Sequence, residues 1–410
     1  MKILMLSSIF PYPPTKGRKQ LRTFHLLKYL NNSHQVTLVT QSDETISDEK
    51  IEILKSQVAE LVVFPREQAG ESANIIKKAK RIGTFIQQGT PPEILKTYST
   101  AIASWVKQAV ELNNFEVIVC ENSIDEIYLN ADWRETIGTV INIHSSEYGK
   151  YKQQLETGDS ENELKDTINL GLLRRYEQGY LRKFSQIITV TSKDKRIIKE
   201  LEPQTPITII PNGVDLAKFP CRQSDRGGQN IVFVGNMDRP ANINAVRFLA
   251  LEIFPAIVER YPEATLKIVG ARPVAEVREF DSLPHIEVTG EVESVVEYLH
   301  QATMCVLPMR QGFGLKNRTL EAMAMGVPVV GSDRALSGLE VDGASIPLRA
   351  MRANKLEEYI YAIGRLFAEP KLREKLSVNG RSLVENEYTW KKLGQRYEQV
   401  LLDAYKSVKT

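Results

Sequence analysis

The stretch from Gly312 to Asp333, GFGLKNRTLEAMAMGVPVVGSD, combines residue types that can hold an anion at the start of a helix. Two glycines precede two cations, Lys316 and Arg318, and the carboxylate of Glu321 follows on the predicted helix. A helix N-terminus favours negative charge because its first backbone N–H groups are unpaired and the helix dipole is positive there. The stretch therefore predicts an anionic ligand in this part of the chain.

Short β-rich runs alternate with longer helical patterns along most of the chain, beginning with KILMLSS and RTFHLLKYLNN. This alternation predicts parallel strands joined by crossover helices. Residues 205–230 interrupt it with Pro, Gly and polar residues and are interpreted as a linker, after which the alternation restarts. The sequence therefore predicts an α/β protein of two doubly wound, Rossmann-like domains that face each other across a cleft.

Residues that follow the predicted strands are the next candidates, because ligands of open α/β sheets bind beyond the carboxyl ends of the strands. Gly17 follows the first strand, His144 follows a later one, and Gly235, Asn236 and Gly290 follow strands of the second half. No G-x-G-x-x-G or G-x-x-x-x-G-K-[ST] motif is present, which argues against a nicotinamide dehydrogenase and a P-loop nucleotidase. The cations that surround Gly17 are Lys16, Arg18, Lys19 and Arg22.

The composition of the chain excludes several classes of function. The net charge is +2 over 410 residues, so no general affinity for nucleic acid is expected. The three cysteines are far apart and match no metal-ligand spacing, which favours a reducing, cytoplasmic compartment. No D-x-D follows a predicted strand, and no apolar run approaches the roughly 18 residues that span a bilayer. We therefore expect no metal cofactor and no membrane-spanning segment.

Several motifs together resemble those of the GT-B-fold glycosyltransferases of glycosyltransferase family 4, which are retaining enzymes that use nucleotide sugars. ITIIPNGVDLAKF is similar to the family's interdomain segment, and IVFVGNMDRPANINAVRFL to the first strand of its donor domain. TGEVESVVEYLHQATMCVLPM and LEAMAMGVPVVGSD complete the donor domain. The front end, PYPPTKGRKQLRTFHLLKYLNNSHQVTLVT, is similar to a bacterial subgroup associated with exopolysaccharide biosynthesis. The resemblance covers nearly the whole chain. It implies an acceptor-side domain over 1–212, a donor-binding domain over 213–387 and a helix over 388–410 that returns to the first domain.

By this resemblance, the second domain binds the nucleotide sugar. Glu321 would take the ribose hydroxyls, and the backbone of Gly314 and Leu315 would approach the sugar and the diphosphate. His144 would face the transferred sugar, and Gly17 would lie near the diphosphate. The other residues implied in donor binding are Gly235, Asn236, Gly290, Glu291, Val292 and Asn317.

The chain departs from the family pattern at charged positions. The first acid of the family's E-x-x-x-x-x-x-x-E pair falls on Gln311 or on Phe313, neither of which is acidic. The Arg and Lys that usually follow the first strand of the donor domain are replaced by Asn236 and Asn242. The leaving diphosphate still needs neutralising, so its cations are expected elsewhere.

Lys316 and Arg318 are the nearby cations, and we infer that the positive charge has moved to this loop. A plainer interpretation is that Arg318 and Glu321, three residues apart on one helix, form a surface ion pair worth a few tenths of a kcal/mol. The candidates for a catalytic role are His144, Lys316 and Arg318.

The leading hypothesis is a retaining glycosyltransferase that moves a sugar from a nucleotide diphosphate sugar to a polysaccharide, a glycolipid or another glycan or small-molecule acceptor. The leaving phosphate would deprotonate the acceptor, since no side-chain nucleophile is evident. A nucleotide-sugar epimerase on the same fold and a catalytically degenerate scaffold or activator subunit stay open as alternatives. The stretch IIKKAKRIGTFI at 75–86, which is equally compatible with a solvated surface, suggests a lipid-linked acceptor and contact with the anionic inner face of the cell membrane.

Overall fold

The chain forms two compact units, each built on one parallel sheet whose strands alternate with helices. The computed structural model describes residues 1–14, 17–66, 90–112, 114–157, 162–311 and 316–409. Unit 1 comprises Met1–Pro211 and Leu393–Thr410, and unit 2 comprises Asn212–Lys392. The predicted α/β class with two Rossmann-like domains is confirmed.

Unit 1 contains a seven-stranded parallel sheet in the order β3-β2-β1-β4-β5-β6-β7. The chain starts in the middle, moves to one edge and then crosses to the other, so the strand order reverses between β1 and β4. Every residue of β4 and β5 is buried, as expected for apolar strands at the centre of a parallel sheet. The strands are β1 (Lys2–Ser7), β2 (Gln35–Ser42), β3 (Glu60–Pro65), β4 (Val117–Cys120), β5 (Gly138–Ile143), β6 (Gln186–Thr189) and β7 (Ile207–Ile209).

Helices join the strands of unit 1 and bury one apolar side each. In the first of them Leu26, Leu27 and Leu30 are fully buried, consistent with the apolar spacing in RTFHLLKYLNN. Two 3-10 helices, Ser123–Tyr128 and Ala131–Glu135, lie between β4 and β5. The α-helices are α1 (Arg18–Leu30), α2 (Asp48–Lys55), α3 (Pro92–Thr97), α4 (Thr100–Glu111), α5 (Glu147–Thr157), α6 (Glu163–Leu181) and α7 (Ser192–Leu201).

Unit 2 contains a six-stranded parallel sheet in the order β10-β9-β8-β11-β12-β13. Its strand order reverses between β8 and β11, so the carboxyl ends of these two strands flank the expected binding edge. The strands are β8 (Asn230–Val234), β9 (Thr265–Val269), β10 (Ile286–Gly290), β11 (Met304–Leu307), β12 (Val329–Gly331) and β13 (Met351–Arg352).

One helix of unit 2, Pro240–Val258, is long and apolar enough to cross a membrane by length and composition, contrary to the expectation from the sequence. Its apolar character has another cause, because Val246, Leu249, Ile253 and Ile257 are fully buried in the core of unit 2. The helices of unit 2 are α8 (Pro240–Phe248), continued through a π-helical stretch (Leu249–Ile253) into α9 (Phe254–Val258), then α10 (Ala275–Glu279), α11 (Val295–Gln301), α12 (Asn317–Ala324), α13 (Leu356–Ala368) and α14 (Pro370–Glu387).

The predicted linker over 205–230 is too long at its beginning. Ile207–Ile209 pairs in parallel with β6 and forms the last strand of the first sheet. A three-residue edge strand beside prolines carries little periodic signal, so the sequence pattern did not separate it from the polar segment that follows.

The last helix, α15 (Trp390–Lys409), carries the predicted apolar stripe, and its buried side chains include Leu393 and Tyr397. From Leu393 onward it belongs to unit 1. The backbone of Ala404 lies so close to Gly138 of β5 that a Cβ added there would be 2.9 Å from it. Glycine at Gly138 is therefore what lets this helix pack directly on the sheet.

Candidate active site

The start of α12 carries the cations and the acid that the sequence singled out. Lys316 holds the extended position just before the helix, and Arg318 and Glu321 lie one turn apart on it. Glu321 is only 9% exposed, and its Oε2 accepts a hydrogen bond of 2.5 Å from Arg318 Nη1. The ion pair between Arg318 and Glu321 is thus present. Its carboxylate is buried, so it is not a surface pair between two solvated side chains. Gly314 and Leu315 lie outside the described residues.

Hydrogen bonds fasten α12 and the preceding loop to the segment that follows β12. Thr319 Oγ1 donates to Ala335 O at 2.8 Å, and Ser332 Oγ donates to Met309 O at 2.7 Å. Asn317, the first residue of α12, is half-buried, and its Oδ1 has no hydrogen-bond partner among the described residues. Because a buried carbonyl oxygen without a partner is costly, Asn317 stays a candidate for ligand contact.

The ends of three neighbouring strands of unit 2 are tied together by backbone hydrogen bonds. Gly235 N donates to Val269 O at 3.0 Å, and Gly270 N donates to Gly290 O at 3.2 Å. Gly270 has a φ of +148°, and a Cβ built on it would lie 1.8 Å from Gly235 O. Gly270 therefore allows the ends of β8 and β9 to meet. Gly270 was not predicted as a site residue, although it ends the predicted strand run ATLKIVG.

The end of β10 leaves open space beside the sheet. Gly290 has a φ of +69°, and a Cβ built on it would meet no atom of the described residues within 4 Å. Glu291 is exposed, and Val292 is half-buried against the core of unit 2. Glycine is therefore needed here for its backbone conformation.

The two family cation positions after β8 hold a neutral contact in this chain. Asn242 Nδ2 donates to Asn236 O at 2.8 Å. A cation that the sequence analysis missed lies at the same edge, since Arg272 Nε donates to Asp238 Oδ2 at 2.6 Å. This guanidinium lowers the pKa of the Asp238 carboxyl. The partners are 34 residues apart on different strand ends, so no local motif marks them.

His144 follows β5 in unit 1, and its imidazole is neutral. Its Nε2 lies 3.1 Å from Glu121 O. A carbonyl oxygen only accepts, so Nε2 carries the proton and Nδ1 keeps its lone pair. Burial, and then the charges of Arg22 and Lys19, lower the pKa of His144 to about 3. The imidazole can accept a hydrogen bond through Nδ1, but it holds no second proton near neutral pH.

Arg22 was expected to crowd the start of α1 as one of several cations, and that expectation is wrong. It is fully buried, on the face of α1 that also buries Leu26, and its Nη1 donates to Pro211 O at 2.8 Å. Burial lowers the pKa of Arg22. Gly17 precedes α1 with extended backbone, and Lys16 lies outside the described residues.

A buried carboxylate, Glu121, connects α1, β5 and α15. Its Oε2 accepts hydrogen bonds from Thr23 Oγ1 at 3.1 Å and from Asn142 Nδ2 at 3.3 Å. Its Oε1 accepts a hydrogen bond from the Tyr397 hydroxyl. Burial raises the pKa of Glu121 in spite of these bonds. The carbonyl that orients His144 thus belongs to a residue held from three sides.

Two further buried carboxylates hold loops at this edge of unit 1. Asp125 Oδ1 accepts a hydrogen bond of 2.8 Å from Ser8 N, and Glu177 Oε2 accepts one of 2.6 Å from Ser146 Oγ. Burial raises the pKa of Asp125 to about 6 and that of Glu177 to about 7. The partners are 117 and 31 residues apart, which is why sequence patterns did not find them.

The candidate residues thus fall into two groups, one at the carboxyl edge of each sheet. Gly17 and His144 belong to unit 1, and the remaining described candidates belong to unit 2. In the described ranges, no three His, Cys, Asp or Glu side chains are grouped in a way that could hold a metal ion.

Comparison with protein families gives two matches that cover most of the chain. Residues 21–218 match the model described as Glycosyltransferase Family 4, and residues 228–369 match the model described as Glycosyl transferases group 1. No curated protein sequence matches the chain.

Solved structures with similar folds span essentially the whole chain. Sucrose-phosphate synthase from Thermosynechococcus elongatus has a TM-score of 0.66 at 18% identity, covering 99% of this chain and 100% of that one. Anabaena HepE in complex with UDP has a TM-score of 0.65 at 13% identity, covering 98% and 100%. A glycosyltransferase from Rickettsia africae has a TM-score of 0.60 at 12% identity, covering 99% and 98%.

Proposed function

We propose, on the premise that the chain is a family 4 glycosyltransferase with the GT-B fold, that it moves a sugar from a nucleotide diphosphate sugar to a glycan or lipid-linked acceptor with retention of configuration. The structures of HepE with UDP and with UDP-glucose support a nucleotide-sugar donor by analogy. The similarity of the front end to exopolysaccharide-associated transferases favours a polysaccharide or glycolipid as the product.

The observation that carries this proposal is the buried carboxylate of Glu321 on α12. Among the described residues only Arg318 donates a hydrogen bond to the Glu321 carboxylate, which is 9% exposed and keeps acceptor capacity because each of its oxygens can take two hydrogen bonds. Two vicinal ribose hydroxyls are donors that would use this capacity. Gly290, at the end of β10 on the same edge of the sheet, would then border the base, together with Glu291 and Val292.

Charge stabilisation of the leaving diphosphate is the main chemical task in this proposal. Negative charge grows on the diphosphate as the anomeric C–O bond breaks, so a fixed cation acts mainly in the transition state. Arg318 already forms an ion pair with Glu321. Lys316 directly precedes the helix and is proposed for the diphosphate because of this position, aided by the helix N-terminus.

His144 is proposed as a hydrogen-bond acceptor for a sugar hydroxyl and not as a general acid. Its pKa of about 3 leaves the ring neutral at physiological pH, and its Nε2 proton is directed to Glu121 O. Deprotonation of the acceptor is assigned to the leaving phosphate. We further propose that no metal is needed, because Lys316 and the helix dipole supply the positive charge.

A cytoplasmic enzyme that meets the anionic inner face of the membrane is the localisation we propose. Of the basic residues around Gly17, Arg18 and Lys19 stay exposed, whereas Arg22 is buried. The stretch 75–86 lies outside the described residues. Flotation with anionic vesicles at low and high salt tests this, since screening should abolish binding; equal flotation with neutral vesicles would contradict it.

The decisive experiment measures nucleotide binding to Glu321→Gln. The amide replaces one acceptor by a donor, so we expect affinity for the matching nucleoside diphosphate, found by a thermal-shift screen, to fall at least tenfold in a folded protein. Glu263→Gln, an exposed residue of the same unit, is the matched control and should bind normally. Undiminished binding by Glu321→Gln would contradict the ribose role. A transfer assay with purified protein separates an enzyme from a scaffold, which would bind the nucleotide without turnover.

A further inference from the structure

A cavity of about 410 Å³ lies in unit 2 beyond the ends of β11 and β12. None of the residues that line it belongs to the donor-binding set proposed above. Its floor is made of buried side chains that include Phe248, Met309 and Tyr359, and exposed Arg310 and Arg334 stand at its rim. The cavity therefore combines an enclosed base with cationic walls, as small-molecule sites do.

Within the described part of the chain, neither of the two rim arginines has a carboxylate as an ion-pair partner. Neither Arg310 nor Arg334 forms an ion pair with a described carboxylate, while the acid of the wall, Asp333, is engaged by Arg352 at 2.5 Å. The Arg310 guanidinium carbon lies 3.5 Å from the centroid of the Phe248 ring. Stacking of this kind holds the guanidinium in place and leaves its in-plane N–H donors for an oxyanion.

The floor of the cavity holds a polar group without a partner. Tyr359 is 1% exposed, and its hydroxyl forms no well-aligned hydrogen bond with a described residue, although the Ser332 hydroxyl lies beside it. The neighbouring Ser332 hydroxyl is already committed, since it donates to Met309 O at 2.7 Å and accepts from Ala335 N at 3.2 Å. A buried hydroxyl without a partner is costly, so a ligand oxygen at this place would be favoured.

We propose that this cavity binds a phosphate monoester of a small polyol, of hexose phosphate size. The phosphate lies between Arg310 and Arg334, because two guanidinium groups offer the paired donors that suit phosphate oxygens. The polyol hydroxyls meet Asn354 and the Tyr359 hydroxyl, which also line the cavity. The volume exceeds that of inorganic phosphate and accommodates the attached polyol. A soluble ester and a lipid phosphate headgroup share this chemistry, and the experiment separates them.

The test is calorimetric titration of the full-length protein with glucose 6-phosphate, and flotation with vesicles that contain phosphatidic acid. We expect one of these probes to bind and its binding to weaken at least tenfold in Arg310→Gln and in Arg334→Gln. Arg260→Gln, an exposed arginine of the same unit outside the cavity, is the control and should bind as the original protein does. Lys316→Ala should also bind normally, because Lys316 does not line the cavity.

Tyr359→Phe separates a ligand-binding role from a structural one. Removing a buried hydroxyl that has no partner should keep or raise the melting temperature, while binding of the same probe weakens severalfold. The proposal is overturned if neither probe binds the original protein, if binding is lost in Lys316→Ala and kept in Arg310→Gln, or if Tyr359→Phe binds normally. None of these measurements uses the transfer reaction, so this proposal and the proposed function fail independently.

Discussion

The carboxyl edges of the two sheets differ in the residues that form them. In unit 1 the edge is a network of buried carboxylates, Glu121, Asp125 and Glu177, each held by hydrogen bonds from distant segments. In unit 2 the ends of β8, β9 and β10 carry the glycines Gly235, Gly270 and Gly290, and backbone hydrogen bonds join these ends. The first edge positions side chains, whereas the second exposes backbone.

This difference indicates what each edge can do. Side chains locked by a polar network suit the orientation of a neutral group such as His144, whose tautomer follows from one carbonyl. An edge of glycines suits a ligand that is recognised through backbone N–H groups and helix N-termini, as nucleotide phosphates are. Substitutions at the two edges should therefore fail in different ways.

The largest effect is expected at Gly270, which lies in close contact with the backbone of Gly235. Gly270→Ala would place a Cβ at 1.8 Å from Gly235 O in a conformation with φ of +148°. We expect unfolding of unit 2 to become easier by about 3 kcal/mol or more, measured by urea denaturation. Gly338→Ala is the matched control: its φ is +82°, but within the described part of the chain a Cβ there meets nothing within 4 Å. It should lose only about 1 kcal/mol, and equal losses in both variants would show that the contact with Gly235 does not matter.

Next in size is the loss of the cation before α12. Lys316→Ala should lower turnover on the order of a hundredfold, about 2.7 kcal/mol, by analogy with other single electrostatic donors. Binding of the nucleoside without phosphates should stay unchanged, since the charge acts on the diphosphate. Steady-state transfer kinetics give the first quantity and calorimetry the second.

Two further variants test the role of Lys316: a second-site substitution that should restore turnover, and a substitution of the neighbouring Arg318. Asn236→Arg restores a cation at the family position and should recover part of the turnover of Lys316→Ala. Arg318→Ala should instead weaken nucleotide binding, because it removes the one described hydrogen-bond donor to Glu321. Unchanged transfer by Lys316→Ala would assign the diphosphate to other cations.

At the polar edge of unit 1, a smaller loss is expected from Tyr397→Phe. This change deletes the hydroxyl that donates to the buried Glu121 Oε1 and leaves that oxygen with one hydrogen bond fewer. We expect a loss of about 2 kcal/mol in the free energy of unfolding. Urea denaturation measures it. Tyr361→Phe, an exposed tyrosine of unit 2, should lose almost nothing. If the two variants match, the network does not stabilise the protein.

The smallest effect concerns the protonation of His144. With a folded pKa of about 3 against an ordinary 6.5, the folded protein binds fewer protons here than the unfolded chain, so this residue lowers stability as pH falls from about 6.5 towards 3. The free energy of unfolding of His144→Gln, taken relative to that of the original protein, should therefore be higher at pH 5 than at pH 7. The imidazole NMR signals should not titrate between pH 5 and 8, and a midpoint near 6.5 would contradict its burial.

Glu177 acts with the opposite sign and serves as the internal comparison. Its pKa is raised to about 7, so the folded protein binds more protons than the unfolded chain, and this residue lowers stability as pH rises from about 4.5 to 7. Glu177→Gln should remove that dependence. The two variants should shift the pH of maximum stability in opposite directions.

Much of the fold and part of the site follow from local sequence patterns. Runs such as MCVLPM mark β11, and the motifs IPNGVD and LEAMAMGVPVV indicate the glycosyltransferase domains, because strands and helix starts depend on neighbouring residues. The burial of Arg22 could not be predicted in this way. It lies on the inner face of α1, and a cation near a helix start is ordinarily exposed.

Interactions between distant segments were the other limit. The pairing of Asp238 with Arg272 and of Ser146 with Glu177 brings together residues that share no motif. Gly270 could have been predicted from the sequence, since it follows a strand as Gly235 and Gly290 do, but only its close approach to Gly235 O at the ends of β8 and β9 explains why it must be glycine.

The position of α15 has a consequence for the order in which the chain folds during synthesis. Unit 2 is continuous over Asn212–Lys392, so all of its residues are made before Leu393 appears. Unit 1 needs Leu393–Thr410 as well, including the Tyr397 hydroxyl for Glu121 and the backbone of Ala404 beside Gly138. Unit 1 therefore starts before unit 2 and is completed after it, since β5 lacks its packing helix until α15 has been made.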